Sequence, residues 1–354
     1  MAAVVRTSEL RRPAAVFAVE TAAVAACYYA AGQLGLLRQL VVEGAVFTPV
    51  WPPSGLAVAC LLLLGMRASA GIALGALFVI MSITTELGPF VIVNLAGNTA
   101  APVCAYLMLR TVGFRTDLTR MRDTLALVFL GALTAMLISS TVGVGVLVLA
   151  GRLDADGFWP VWLGWWVGDA MGVLLVTPLL LLLFTQRSPP PVRRWKEAAG
   201  LALVTVTFVT VATRSNISLL FLVYPLLIWA ALRFRLAGGM LCALFTSVMA
   251  TVAATEGLGP FAGRTRVEVM INLQAFNGTM ALTALLLSAV ITEQRNTRRS
   301  VERACQELVE VLEHLTAGDA PQGRPPPEDR NGLPGAGGFP DDTDGSPPAK
   351  RGGT

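Results

Sequence analysis

A single carboxylate, Asp169, sits inside the run FWPVWLGWWVGDAMGVLLVTPLLLLLF at 158–184. That run is long enough to cross a bilayer, for which about 20 apolar residues suffice. An aspartate at the centre of such a helix costs about 3 kcal/mol on insertion scales. A buried partner, a water-filled cavity or a bound ligand must compensate, which makes Asp169 the first candidate for a ligand-binding site. Amides supply the next candidates. Asn94 and Asn98 are four residues apart and share one helix face. Asn272, Gln274 and Asn277 place three more amides in the last apolar run, and Glu20 puts a second acid in the first. Such groups can bind a ligand or hydrogen-bond one another between helices, the ordinary use of small polar residues in membrane bundles.

The neighbours of Asp169 carry packing cues. Gly164, Gly168 and Gly172 recur every four residues, a small-residue stripe that lets another helix approach closely. Asp169 is turned about 100° from Gly168, so it lies beside that seam. Trp165 is one turn away and is placed to wall a pocket, while Trp159, Trp162 and Trp166 suit interfacial anchoring. Pro178 lacks a backbone N–H and is expected to kink the inner end. Trp51-Pro52-Pro53-Ser54-Gly55 begins a helix with prolines that a first turn tolerates. Irregular backbone there must be shielded by protein or face water, so this run is the expected mouth of a cavity.

The elements that hold these groups follow from composition. The 354 residues are 54% hydrophobic and only 14% charged, against roughly a quarter charged in soluble domains. Apolar blocks fall at 14–36, 50–66, 69–85, 88–111, 124–150, 158–184, 196–213, 217–233, 236–255 and 269–292. The expected fold is therefore all-α: a polytopic integral membrane helix bundle with about 10 crossings. Blocks two, three and eight are short, and the count falls to eight where they do not cross fully. Under the ten-crossing count nearly all arginines flanking the blocks fall on one side. Arg38, Arg152, Arg214, Arg264 and Arg266 fall on the other, mixed with acids. That asymmetry places both termini in the cytoplasm of a bacterial cell with the chain in its plasma membrane. The net charge of +4 is explained by this distribution and signals no nucleic acid. The cysteines lie in or after apolar blocks, where they act as small hydrophobes.

The chain also partly repeats. Val50-Trp51-Pro52, Ala70-Gly71, Gly75-Ala76-Leu77-Phe78 and Thr85-Glu86-Leu87-Gly88-Pro89-Phe90 find echoes in order. These are Val223-Tyr224-Pro225, Ala237-Gly238, Cys242-Ala243-Leu244-Phe245 and Thr255-Glu256-Gly257-Leu258-Gly259-Pro260-Phe261. Blocks two to four match blocks eight to ten, which gives a parallel internal repeat of the kind some carriers use. Four regions result: a cytoplasmic N-terminus (1–13), the membrane bundle (14–292), a cytoplasmic helix (293–315) and a disordered tail (316–354). In the helix, Val301, Cys305, Leu308, Leu312 and Leu315 follow a 4-3-4-3 spacing. That suits either a short coiled coil in a homodimer or an amphipathic helix lying on lipid. The tail is rich in Pro, Gly and Asp and lacks apolar residues to bury. No nucleotide loop, metal-ligand spacing or catalytic triad stands out, so neither enzyme activity nor a cofactor is expected. His314 is followed by Leu315 and Thr316 and reads as a solvated helix residue.

Four runs together resemble the first type of bacterial membrane-associated sensor domain, the MASE family. They are VWPPSGLAVACLLLLGMR at 50–67, NLAGNTAAPVCAYLMLR at 94–110, WWVGDAMGVLLVTPLLL at 165–181 and YPLLIWAALRF at 224–234. The resemblance implies an integral membrane sensory module, usually joined to a kinase, cyclase or phosphodiesterase. No such output domain is recognisable after the last apolar block, so a separate cytoplasmic kinase or cyclase is the expected partner. Secondary transport of a small solute and a sensor kinase stripped of its output half are the rival expectations.

Overall fold

The computed structural model describes residues 13–42, 45–84, 88–185, 194–215 and 219–318. Helix α1 (Pro13–Leu36) leads into a small antiparallel hairpin of β1 (Leu40–Val42) and β2 (Ala45–Phe47), with Leu40 opposite Phe47. Every other element among the described residues is helical, in line with the all-α expectation. Helices α2 (Pro52–Leu64), α3 (Ala68–Ile83) and α4 (Pro89–Thr111) are followed by α5 (Met121–Ala126) and a π-helical stretch over Leu127–Thr134. Helices α6 (Met136–Leu149), α7 (Phe158–Thr185), α8 (Trp195–Arg214), α9 (Val223–Glu256) and α10 (Arg266–Gly318) complete the order. The first residues and the tail from 319 onward lie outside the described residues, as do Thr85, Glu86 and Leu87 of the repeat.

Among the described residues, eight helical stretches are long and apolar enough to cross a membrane, where the sequence reading draws about ten. The difference has a simple origin. Blocks two and three join into one stretch, Pro52–Ile83, and blocks eight and nine into another, Leu220–Glu256. Both joined stretches fold back on themselves. Gly35 at the end of α1 packs on Trp51 and Pro52, where an added Cβ would come within 2.9 Å of the indole. Gln33 on the same end of α1 donates to the Ser82 hydroxyl at 3.0 Å. Both ends of Pro52–Ile83 thus meet one end of α1. In α9, a Cβ added to Gly238 would lie 2.6 Å from the Ala230 carbonyl. Eight residues span about 12 Å in a straight helix, so the chain must reverse between them.

The two reversals use similar backbone. Gly65 has φ 74° and ψ −164°, while Arg235 inside α9 has φ 57° and ψ −142°. Glycine takes that conformation freely, whereas an arginine there stores about 1–3 kcal/mol of strain. Contacts gather the turns on one face of the bundle. Arg110 donates to Tyr106, whose hydroxyl lies beside Gly65. The Met121 amide donates to Glu293 at 3.1 Å, and Arg295 donates to the Leu232 carbonyl at 3.0 Å. Arg233 holds Glu197 with two bonds of 2.6 Å. On the opposite face Arg38 pairs with Glu256 at 2.9 Å.

Helix α7 is the axis of the main core. Its Ala170–Leu175 segment and Leu181 pack with Val58, with Ala101 and Ala105 of α4, with Leu127–Met136 and with Met240–Ala243 and Met280–Leu285. Pro178 sits inside α7 without dividing it, so the expected kink does not end the helix. The compact bundle runs to Ser300 and a second unit begins at Val301. In that unit the helix continues to Gly318.

Candidate functional site

Asp169 lies eleven residues into α7, about 16 Å along its axis, and is 1% exposed. Two hydroxyl groups hold its carboxylate. The Ser54 hydroxyl, on the first turn of α2, donates to Oδ1 at 2.5 Å. The Ser139 hydroxyl, on α6, donates to Oδ2. Trp165, one turn earlier on α7, and Tyr28 of α1 also face the carboxylate. A serine hydroxyl thus reaches each of the two carboxylate oxygens, and neither oxygen is left without a partner. One side chain thereby fastens three elements together.

The fastened elements meet where the backbone is irregular. Helix α2 spans 13 residues, about 20 Å, short of the roughly 30 Å hydrocarbon core. Its head enters from residues 48–51, which run over α7 beside Asp169. The Trp51 amide donates to the Gly168 carbonyl at 2.9 Å, and Thr177 Oγ1 donates to the Gly55 carbonyl at 2.8 Å. A Cβ on Gly168 would collide with the Thr48 carbonyl, one on Gly172 with the Trp51 carbonyl, and one on Gly55 with the Gly172 carbonyl. The glycine stripe therefore receives backbone, which explains why nothing larger fits. Gly164 is buried one turn earlier. Protein covers the irregular segment, as backbone at membrane depth requires. The N-terminal end of α2 also points its partial positive charge toward the carboxylate, worth about 0.3–2 kcal/mol by position.

Helix α6 is aimed by the π-helical stretch before it. There the Ala135 amide reaches back to the Leu130 carbonyl at 3.1 Å, and the Leu133 carbonyl accepts from Trp166 at 2.8 Å. Single-turn π segments often mark functional positions because they redirect the side chains that follow. Ser139 follows by one turn. Trp165 is half-buried and lies flat on Gly143 of α6, where a Cβ would meet its ring at 2.8 Å. Trp162 and Trp166 stack with centroids 5.8 Å apart, while Trp159 is exposed as an interfacial anchor would be.

The other sequence-predicted residues do not join this cluster. Asn98 donates to the Asn94 side chain and backbone at 2.9 Å, so the two amides serve each other along α4. Asn272 is exposed and donates to the Glu268 carbonyl at 2.8 Å. Glu20 is half-buried on α1, eight residues and about 12 Å before Tyr28. Gln274 and Asn277 are buried on α10 without a partner, as are Ser247 on α9 and Ser288 on α10. The second arm of α9 runs antiparallel to α10, with Ala250 near Leu273 and Gly239 beside Ser288. Ser247 and Asn277 consequently fall at about the same level of the bundle. Sequence reading missed Ser139, Tyr28 and Trp51 as neighbours of Asp169, and gave Ser54 a place only within the expected mouth of a cavity. Their common signal is weak: hydroxyls and aromatics are frequent in such helices.

Among the described residues no group of three or more His, Cys, Asp or Glu side chains could hold a metal ion. A family model, MASE1, matches residues 21–295. Neither the curated proteins nor the solved structures give a match. With that match covering well over half of the chain, the protein belongs to the MASE1 family of membrane-associated sensor domains.

Proposed function

We propose that the bundle senses a small ligand, an ion or a membrane state through the Asp169 clip, and passes the change to a cytoplasmic reader through α10. The observation that carries this reading is the buried Asp169 carboxylate joining Ser54 of α2, Ser139 of α6 and its own helix. A ligand biases a protein only by binding its conformations unequally. Breaking one of these bonds leaves a buried polar group unsatisfied, so the clip is either closed or costly to hold open. That gives two distinct arrangements of α2 against α6 and α7. Because α7 packs on Met280–Leu285, a shift of α7 reaches α10, and α10 continues past Ser300.

The topology belongs to the same reading. The two fold-back stretches support ten crossings, with both termini and the arginine-rich turn face in the cytoplasm. They also support the parallel repeat, since Trp51-Pro52 and Tyr224-Pro225 each open a stretch that reverses at positive φ. The reader is a kinase or cyclase. A fusion of residues 1–318 to a kinase core tests the proposal. Kinase output is expected to change across pH, osmolarity and ionic composition, and to become constant in Asp169→Asn. Output that never varies in the unsubstituted fusion defeats the sensor reading.

One observation favours transport as a second reading. Non-helical backbone at residues 48–51 beside a buried carboxylate is how carriers build midplane sites between repeats. Solute uptake by vesicles that is lost in Asp169→Asn would establish it in place of sensing.

A further inference from the structure

The reversal inside α9 puts an arginine where the backbone favours glycine. Arg235 has φ 57°, whereas the reversal of Pro52–Ile83 uses Gly65 at φ 74°. The turn itself needs no arginine. A strained backbone kept under one side chain directs attention to what that side chain meets. Arg235 is half-buried, and among the described residues its guanidinium makes no hydrogen bond and no ion pair.

What it faces is positive. Arg295 and Arg299 of α10 lie opposite Arg235, and residues four apart share one helix face. Arg295 is fixed beside the same turn by its 3.0 Å bond to the Leu232 carbonyl. Two acids on this face of the bundle are engaged elsewhere. Glu197 is held by Arg233 through two bonds of 2.6 Å, and Glu293 accepts from the Met121 amide at 3.1 Å. Like charges repel more strongly where burial thins the water between them, so one anion between Arg235 and Arg295 relieves two cations at once. Guanidinium groups present planar forks of N–H donors that match phosphate oxygens in pairs. We infer that Arg235 and Arg295 form a binding site for a phosphate group, with Arg299 adding positive charge one turn along α10. An anionic phospholipid headgroup and a soluble phosphate offer the same oxygens to it. The site shares no residue with the Asp169 clip and holds whether the bundle senses or transports.

The full chain in neutral detergent supplies the test, read as melting temperature against added ligand. Two probes are titrated separately: phosphatidylglycerol against phosphatidylcholine, and inorganic phosphate against chloride at matched ionic strength. A saturable shift given only by phosphatidylglycerol assigns the site to a headgroup, and one given by inorganic phosphate assigns it to a soluble anion. Arg235→Gly suits the turn and should fold at least as well as the parent chain. Its half-saturating concentration is expected to rise about tenfold, the loss of one charge-assisted contact. Arg235→Gln removes the charge while leaving the backbone strained, and should weaken binding equally. Arg67→Gln removes a cation at the other reversal and should shift binding less than about twofold, since distant charges are screened. Equal affinities in Arg235→Gly and the parent overturn the site. An equal loss in Arg67→Gln, or no saturable stabilisation by either probe, overturns it as well.

Discussion

Ser139 decides how tightly the carboxylate is held, because it caps one oxygen of Asp169 from a helix that the π-helical stretch has turned toward it. Removing its hydroxyl leaves a buried carboxylate oxygen short of a donor. Loss of a hydrogen bond to a charged group costs about 1.5–3 kcal/mol. Ser139→Ala is therefore expected to lower thermal stability in detergent, and Ser139→Thr to restore most of it. Thr141, two residues on, bonds Trp162 near the bundle end and serves as the control, with a smaller effect on removal. An unchanged melting temperature in Ser139→Ala counts against a closed clip. The amides behave differently. Asn98 donates to Asn94 within one turn of α4, so their loss should be local.

At the scale of elements, α2 is a short helix whose head is pinned to a glycine groove on α7. Gly172→Ala places a methyl into the Trp51 carbonyl. Backbone cannot yield as a flexible side chain does, and overpacking of this kind costs about 1–3 kcal/mol or more. The expected result is poor membrane insertion or a strong loss of stability, whereas Gly145→Ala, where a Cβ meets nothing within 4 Å, should be tolerated. Equal behaviour of the two variants removes the groove from the account. Much of this was legible in the sequence. The expense of Asp169, the four-residue glycine spacing and the proline-led head of α2 all follow from residue type and spacing. What the groove accepts was not legible, because a small-residue stripe admits any close neighbour and the expectation was a helix. The Asp169 partners were equally hidden. Ser54 and Ser139 are 115 and 30 residues away, and hydroxyls at such distances leave no periodic signal.

Over the whole molecule, the two fold-back stretches separate rival topologies. Met66 and Leu236 lie at the two reversals. If Pro52–Ile83 and Leu220–Glu256 each cross twice, cysteines at 66 and 236 should react with an impermeant reagent from the cytoplasmic side, as one at Thr297 would. Straight single crossings would bury both near the bilayer centre, and neither would react. Failure of both to label restores the eight-crossing count. Composition foretold a bundle of eight to ten crossings, but only contacts such as Gln33 with Ser82 reveal which apolar blocks turn back.

Asp169 has no ion-pair partner among the described residues, and that has an electrical consequence. A unit charge moved across the whole membrane exchanges about 2.3 kcal/mol per 100 mV with the potential. Under the sensor reading proposed above, an ionised Asp169 displaced over half the membrane would exchange about 1 kcal/mol with the potential, the size of one net hydrogen bond. The resting potential would then weigh on the same side chain that Ser54 and Ser139 hold.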